Sequence, residues 1–516
     1  MAGGFWRRAQ ESPGWIAAIE PDGTEHTAGD LLGRVNQITH GLRARGLRPG
    51  DGIAAVLPNG VAPVELYLAA LQAGWYLTPI NWHFTAPEIA YIVRDCEAKA
   101  FFVHERFARA GTAAADLAQL TPAARFSYGG DMPGFTPVDE LRDGQSAGLP
   151  ADRTAGTTMH YTSGTTGRPK GVRRSLSGLD PDDAAELTSI LLQFFGITTG
   201  PANVHLVTSP NYHTAVTVFG GGALHLGHTL VCMDSWDSEK ALALVERYKV
   251  TNSHMVPTQF KRMLSLPEDT RRRYDLSSMR WLIHAAAPCP VGIKQAMLDW
   301  WGPCVYEYYA ATEGGGTLAT PQDWLDRPGT VGTPWPVSEV MIADEAGNQC
   351  PPGTPGTIYM KMSVGDFEYK DDPDKTAANR MHGFFTVGDI GYFDADGYLF
   401  LCDRKADMII SGGANIYPAE IEAEIIMHPK VADVAVFGIP DEDWGEQVKA
   451  VVQPAAGVLP SHELAAEILA SLDGKLARMK WPKSIDFTDE LPRDPSGKLL
   501  KRRLRDPYWE GQGSTV

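Results

Sequence analysis

Residues 161–172 read YTSGTTGRPKGV, and these are residue types that hold phosphate. Successive N–H groups of a Gly/Thr loop converge into an anion-binding nest, hydroxyls add donors, and a lysine adds a point charge. Ser163, Gly164, Thr165, Thr166, Gly167 and Lys170 are therefore candidate phosphate ligands. The nucleotide P-loop needs Gly-Lys-Ser/Thr contiguous and opening a helix. Here Arg168-Pro169 separate Gly167 from Lys170, and Pro169 opposes a helix. A polar surface loop has the same composition, so the reading depends on what else the chain carries.

Four further runs carry matching chemistry. Tyr308-Tyr309-Ala310-Ala311-Thr312-Glu313 sets an aromatic ring beside a hydroxyl and a carboxylate. Thr386-Val387-Gly388-Asp389 offers a carboxylate able to accept from two neighbouring hydroxyls. Asp403-Arg404-Lys405-Ala406-Asp407 follows, and LPRDPSGKLLKRRLR (491–505) carries Lys498. In order, and over almost the whole chain, these runs closely resemble the signatures of the adenylate-forming superfamily. That superfamily includes acyl-CoA synthetases, peptide-synthetase adenylation domains and firefly-type luciferases.

The resemblance implies a large N-terminal domain of two α/β subdomains and a β-barrel, followed by a small α+β C-terminal lid. It implies two steps: a carboxylate attacks the α-phosphate of Mg·ATP to give acyl-AMP and pyrophosphate, and a thiol, here coenzyme A, displaces AMP. By the same resemblance Tyr309 packs on adenine, with Ala286 and Ala287 of His284-Ala285-Ala286-Ala287-Pro288 as the backbone platform beside it. Thr312 contacts the α-phosphate, Glu313 and Thr166 serve Mg²⁺, Asp389 takes the ribose, and Arg404 also reaches the nucleotide. Lys498 is the lid lysine bridging carboxylate and α-phosphate. Lys498, Thr166, Glu313 and His213 form the implied catalytic set.

Pro210-Asn211-Tyr212-His213 resembles the family's Pro-Leu-Phe-His, whose ring gates the acyl site, making Tyr212 and His213 acyl-pocket candidates. Amino-acid-activating relatives place an Asp here to pair with an ammonium; Tyr212 and His213 cannot do so. An acid without an α-amine is expected, fatty or bulky polycyclic or terpenoid. Gly220-Gly221-Gly222 leaves two readings open: room along the acyl wall at Gly220 and Gly221, or close strand packing.

This chain departs from the family in three places. The glycines of the adenine platform and of the Gly-Tyr-Gly-x-Thr-Glu signature are absent, and Ala406 stands at the hinge where Asp or Lys is usual. The lid is expected to present Lys498 for adenylation and then a face near Ser411-Gly412-Gly413 for thioester formation, with Ala406 biasing the chain toward the second state. Two alternatives follow: an enzyme using mainly preformed acyl-AMP, and a luciferase-like oxygenase.

The elements that must position these residues follow an α/β pattern. Leu31, Val35, Ile38 and Leu42 keep helical spacing after Thr27 and Asp30, and Gly46 ends the run. IAAVL (53–57), KAFFVH (99–104), VHLVT (204–208), TLVCM (229–233) and WLIHAAA (281–287) read as buried strands. VELYLAALQAG (64–74) and SEKALALVERY (238–248) read as the helices between them. Such alternation argues α/β with mainly parallel sheets. GYFDADGYLFL (391–401) is a hairpin, and a domain boundary is expected at residue 402, giving domains 1–402 and 403–516. Asp394-Ala395-Asp396-Gly397 is a plain turn, because Lys405 stands where a calcium loop needs Glu.

Composition removes other classes. The 516 residues include 46 basic and 63 acidic side chains, and a net charge of −17 repels a nucleic-acid backbone. No apolar run reaches the ~18 residues of a membrane span, and the six cysteines form no CxxC pair. Buried free thiols in a cytoplasmic protein are expected, with Lys501, Arg502, Arg503 and Arg505 on a solvated helix face. The oligomeric state stays open, a homodimer included.

Overall fold

The computed structural model describes residues 3–162, 169–363, 366–493 and 499–510. The first α/β unit is built on a six-stranded, all-parallel sheet. Its inner strands, Gly52–Val56, Tyr76–Pro79 and Ala98–His104, are buried almost throughout, as a sheet covered on both faces requires. The helix Ala28–Ala44 begins as expected, the Thr27 hydroxyl accepting from the Asp30 N–H. The helix Val61–Ala73 is buried nearly all round and ends at Gly74 in the left-handed conformation a C-terminal cap prefers.

The second unit runs Ile16–Ile19, Thr229–Cys232, Val204–Val207, Asn252–Met255, Trp281–His284 and Val305–Ala311 as neighbouring parallel strands. From Gly314–Ala319 onward the same sheet turns antiparallel, through Thr330–Pro334, Leu399–Arg404, Asp389–Phe393 and Gly356–Met362. These strands surround a core of Val331, Ile342, Ile358, Met360, Phe385 and Leu399. The expected hairpin is present: the Asp394 carboxylate accepts from the Asp396 and Tyr398 N–H groups, and Gly397 takes a positive φ of 84°.

The C-terminal unit is a five-stranded sheet under the helices Pro418–Ile425 and His462–Ala470, with its own apolar core. The strand Leu399–Arg404 runs two residues beyond position 402, and the first strand of the C-terminal sheet opens at Ile409. Two expectations need correction. Lys501 opens the helix Lys501–Trp509 but is largely covered: its ammonium lies 2.9 Å from the half-buried Glu422, with Asp403 close enough to add to its charge stabilisation. Cys96, Cys232 and Cys304 are buried free thiols, but Cys289, Cys350 and Cys402 are only partly covered. Among the described residues no helix is long and apolar enough to cross a membrane.

Candidate active site

The C-terminal ends of the second unit's parallel strands meet the start of the antiparallel strands, and the motif residues gather at this junction. Tyr309 lies on Val305–Ala311, while Asp389 and Arg404 face one another at the open end of the hairpin. The Tyr309 hydroxyl donates to Asp389 Oδ2 across 2.7 Å, and Arg404 Nε stands 3.4 Å from Asp389 Oδ1. Three residues from separate motifs thus form one cluster. Burial and the Asp389 charge hold the Tyr309 phenol well above its ordinary pKa, so it stays a neutral donor.

Thr312 and Glu313 follow directly in the turn to Gly314–Ala319. The Thr312 carbonyl accepts from Arg174 Nη2 at 2.7 Å, and its hydroxyl lies 3.3 Å from that of Thr214. Glu313 is buried and accepts from the Tyr369 hydroxyl at 2.7 Å. Burial lowers the Arg174 pKa and Glu313 opposes the shift, so a cation and a carboxylate sit together in a covered place. Sequence reasoning missed Arg174, Tyr369 and Thr214. Arg174 lies four residues beyond Lys170 in the same basic run, the one signal that could have found it.

Lys170 opens the strand Lys170–Arg173, so Pro169 does precede a strand and not a helix. Its ammonium pairs with Asp372, which caps the helix Pro373–Ala378. Ser163, Gly164, Thr165, Thr166 and Gly167, and likewise Lys498, lie outside the described residues. Among the described residues no three His, Cys, Asp or Glu side chains cluster as a metal cage. Glu313 nevertheless offers a hard carboxylate oxygen, the donor that suits Mg²⁺ carried on phosphates.

Trp281–His284 leads into the run Ala285-Ala286-Ala287-Pro288. Ala286 there adopts φ +75°, the left-handed region that favours glycine. Behind it His284 is fully buried and Lys294 Nζ lies 2.6 Å from Glu307 Oε2, with His284 Nε2 at 3.5 Å from the same oxygen. The Lys294 ammonium also sits 5.0 Å from the centre of the Trp324 ring.

His213 caps the helix Thr214–His225, and the Tyr212 ring packs on it and edge-on against Trp82. Beneath this corner lies a narrow cavity of about 50 Å³. Its walls are almost wholly apolar and come from both α/β units: Ala55, Leu57 and Leu77 from one, Val207, Val216 and Leu230 from the other. The glycine run divides between the two readings. A Cβ on Gly220 would meet nothing nearer than Val207 at 3.9 Å, whereas on Gly221 it would strike the Tyr67 ring at 2.5 Å and on Gly222 the Leu192 side chain at 2.8 Å. Gly220 therefore gives room, and the other two give close packing, but inside the helix Thr214–His225 and not between strands as expected.

Ser411-Gly412-Gly413 lies elsewhere, at the tip of the hairpin of Ile409–Ser411 and Ala414–Ile416. Gly412 and Gly413 have φ of 58° and 79°, as a two-residue turn of mirror-image type needs. Gly412 N–H donates to the Trp444 carbonyl at 2.8 Å. Ala406 is exposed after the last strand of the large sheet, and its carbonyl accepts from Arg505 at 3.2 Å. Neighbouring Lys405 reaches Glu345 at 3.6 Å.

Comparison with known proteins agrees with this geometry. The family model described as AMP-binding enzyme matches residues 5–364, and that of the AMP-binding enzyme C-terminal domain matches 420–498. A feruloyl-CoA synthase from Amycolatopsis sp is 35% identical, over 97% of this chain and 98% of its own. The long-chain-fatty-acid–CoA ligase FadD13 of Mycobacterium tuberculosis is 32% identical, over 97% of each chain. The crystal structure of ATP-bound MatB from Rhodopseudomonas palustris superposes with a TM-score of 0.82 at 32% identity, covering 99% of both chains. With both family regions in place, the chain belongs to the adenylate-forming superfamily of AMP-binding enzymes, as an acyl-CoA-synthetase-like member.

Proposed function

We propose that this AMP-forming acid–thiol ligase activates an apolar carboxylic acid lacking an α-amine and transfers the acyl group to coenzyme A. The observation that carries this reading is the apolar cavity, which opens beside Tyr212 and His213, next to the helix whose Thr214 touches Thr312. Its described lining residues include no carboxylate to pair an ammonium and no cation to pair a second carboxylate.

Asp389 and Tyr309 hold the ribose and adenine, Thr312 contacts the α-phosphate, and Lys170 takes phosphate charge when it exchanges Asp372 for the nucleotide. Ser163, Gly164, Thr165, Thr166 and Gly167 complete the phosphate loop. Glu313, with Thr166, holds Mg²⁺, which when bound neutralises phosphate charge. Arg174 fixes the Thr312 carbonyl and so orients that turn. Lys498 bridges the acid and the α-phosphate, and Ser411-Gly412-Gly413 faces coenzyme A in the second half-reaction. The pivot lies at 405–408, between the last strand of the large sheet and the first of the small one. Catalysis on this account is positioning and charge stabilisation, without a covalent enzyme nucleophile.

The test is acyl-CoA formation over matched fatty, aryl, amino and dicarboxylic acids, with wild type and Gly220→Leu. The reading expects turnover of apolar monocarboxylic acids, a loss of about 10-fold or more in kcat/KM for the bulkier ones in Gly220→Leu, and none of amino acids. Preferential use of an amino acid or dicarboxylate would overturn it.

A further inference from the structure

The cavity wall holds a hydrogen-bond donor whose proton has no acceptor among the described residues. Tyr67, on the buried helix Val61–Ala73, lines the cavity with its hydroxyl packed on Gly221. Its one hydrogen bond among the described residues is to His225 Nε2, at 3.3 Å. The direction of that bond follows from the other side of the imidazole. His225 Nδ1 receives the backbone N–H of Phe5 at 3.2 Å, and a backbone N–H only donates. Nδ1 is therefore the bare nitrogen. Burial lowers the His225 pKa to about 4, so the ring is neutral and its one proton sits on Nε2. Nε2–H then donates to the Tyr67 oxygen, and the hydroxyl proton of Tyr67 is left facing an apolar chamber. Burial raises the Tyr67 pKa, so the proton stays on the oxygen.

A second donor lines the same cavity: the side-chain nitrogen of Asn211 is buried without a partner among the described residues. A trapped water needs two to four polar partners, and these walls offer few. An oxygen on the ligand meets the need better.

We propose that Tyr67 is a specificity residue that donates to an oxygen acceptor on the tail of the acid, a carbonyl, ether or hydroxyl placed away from the carboxylate. This rests on the cavity being the acyl site. The Phe5–His225–Tyr67 relay fixes the donor, and burying it unpaired against a plain hydrocarbon tail costs the binding of that tail.

The experiment measures kcat/KM for decanoic acid and for oxodecanoic acids whose carbonyl is moved one carbon at a time, in wild type, Tyr67→Phe and Gly220→Leu. The expected result is one oxo isomer preferred over decanoic acid by about 10-fold, with that ratio collapsing toward one in Tyr67→Phe. A wild type that prefers no oxo isomer, or a preference that survives Tyr67→Phe, overturns the inference. If Gly220→Leu alters kcat/KM for none of the acids, the cavity is not the acyl site and the underlying reading fails instead. Thermal melting of Tyr67→Phe within a few degrees of wild type confirms that the ratio reports recognition and not folding.

Discussion

The Tyr309 hydroxyl and the Asp389 carboxylate are joined across 2.7 Å, although eighty positions separate them, and Arg404 closes on the other carboxylate oxygen at 3.4 Å. One carboxylate thereby ties the strand Val305–Ala311 to the strand Leu399–Arg404, which leads into the C-terminal unit. Asp389→Asn keeps the size and removes the charge. It is expected to lower kcat/KM for ATP by about 100-fold, since charge-assisted hydrogen bonds are roughly twice as strong as neutral ones. Steady-state kinetics at varied ATP checks this; an unchanged KM and kcat would remove Asp389 from the nucleotide site.

The buried pair Lys294–Glu307 ties the helix Val291–Trp301 to the strand Val305–Ala311, which also carries Tyr309. Lys294→Met strands the Glu307 charge and should cost about 3–5 kcal/mol, whereas Lys294→Met with Glu307→Leu should recover most of that. Denaturant unfolding of the two variants decides it. Equal destabilisation by both would mean that packing matters here and charge does not.

Ala286 adopts φ +75°, in the left-handed region that favours glycine. Left-handed geometry costs a residue with Cβ about 1–2 kcal/mol, and glycine's extra freedom in the unfolded chain returns about 0.5–1 of that. Ala286→Gly should therefore stabilise by a little under ~1 kcal/mol, measured as a higher unfolding midpoint. A lower midpoint would show that the alanine methyl makes contacts worth more than the strain.

Several histidines are buried and held neutral. Burial lowers His160, His205, His225 and His228 to about 4 and His254 to about 3. Unfolded histidine titrates near 6.5, so below that pH the unfolded chain binds protons the native chain refuses. Their stabilising contribution is complete above pH ~6.5 and is lost as pH falls toward 4. Unfolding midpoints should drop steeply across that window, with more than one proton taken up per molecule unfolded. A flat profile between pH 6.5 and 5 would contradict the burial of these rings.

Much of the candidate site was legible because each of its residues sits in a short run of local pattern. Asp389, Arg404, Tyr309, Thr312 and Glu313 are found where the runs place them, and hydrophobic spacing located the helices Ala28–Ala44 and Ser238–Tyr248. What stayed hidden depends on contacts distant in sequence. Nothing local marks Tyr369 as the partner of Glu313 or Phe5 as the donor that sets the His225 tautomer. Lys501 misled for the same reason: in a run of basic residues it looks solvated, and only the fold brings Glu422 against it. The glycines at 220–222 share one composition and divide in role because helical rotation turns each toward a different neighbour.

Ala285, Ala286 and Ala406 bear most on the proposed first half-reaction. The direct measurement is acid-dependent exchange of pyrophosphate into ATP without coenzyme A, run beside acyl-CoA formation from synthetic acyl-AMP on the same apolar acids. Activity in both assays, with exchange abolished in Lys498→Ala, is the predicted result. Thioester formation from acyl-AMP without any exchange would contradict it, and would mean that the chain uses an adenylate made elsewhere.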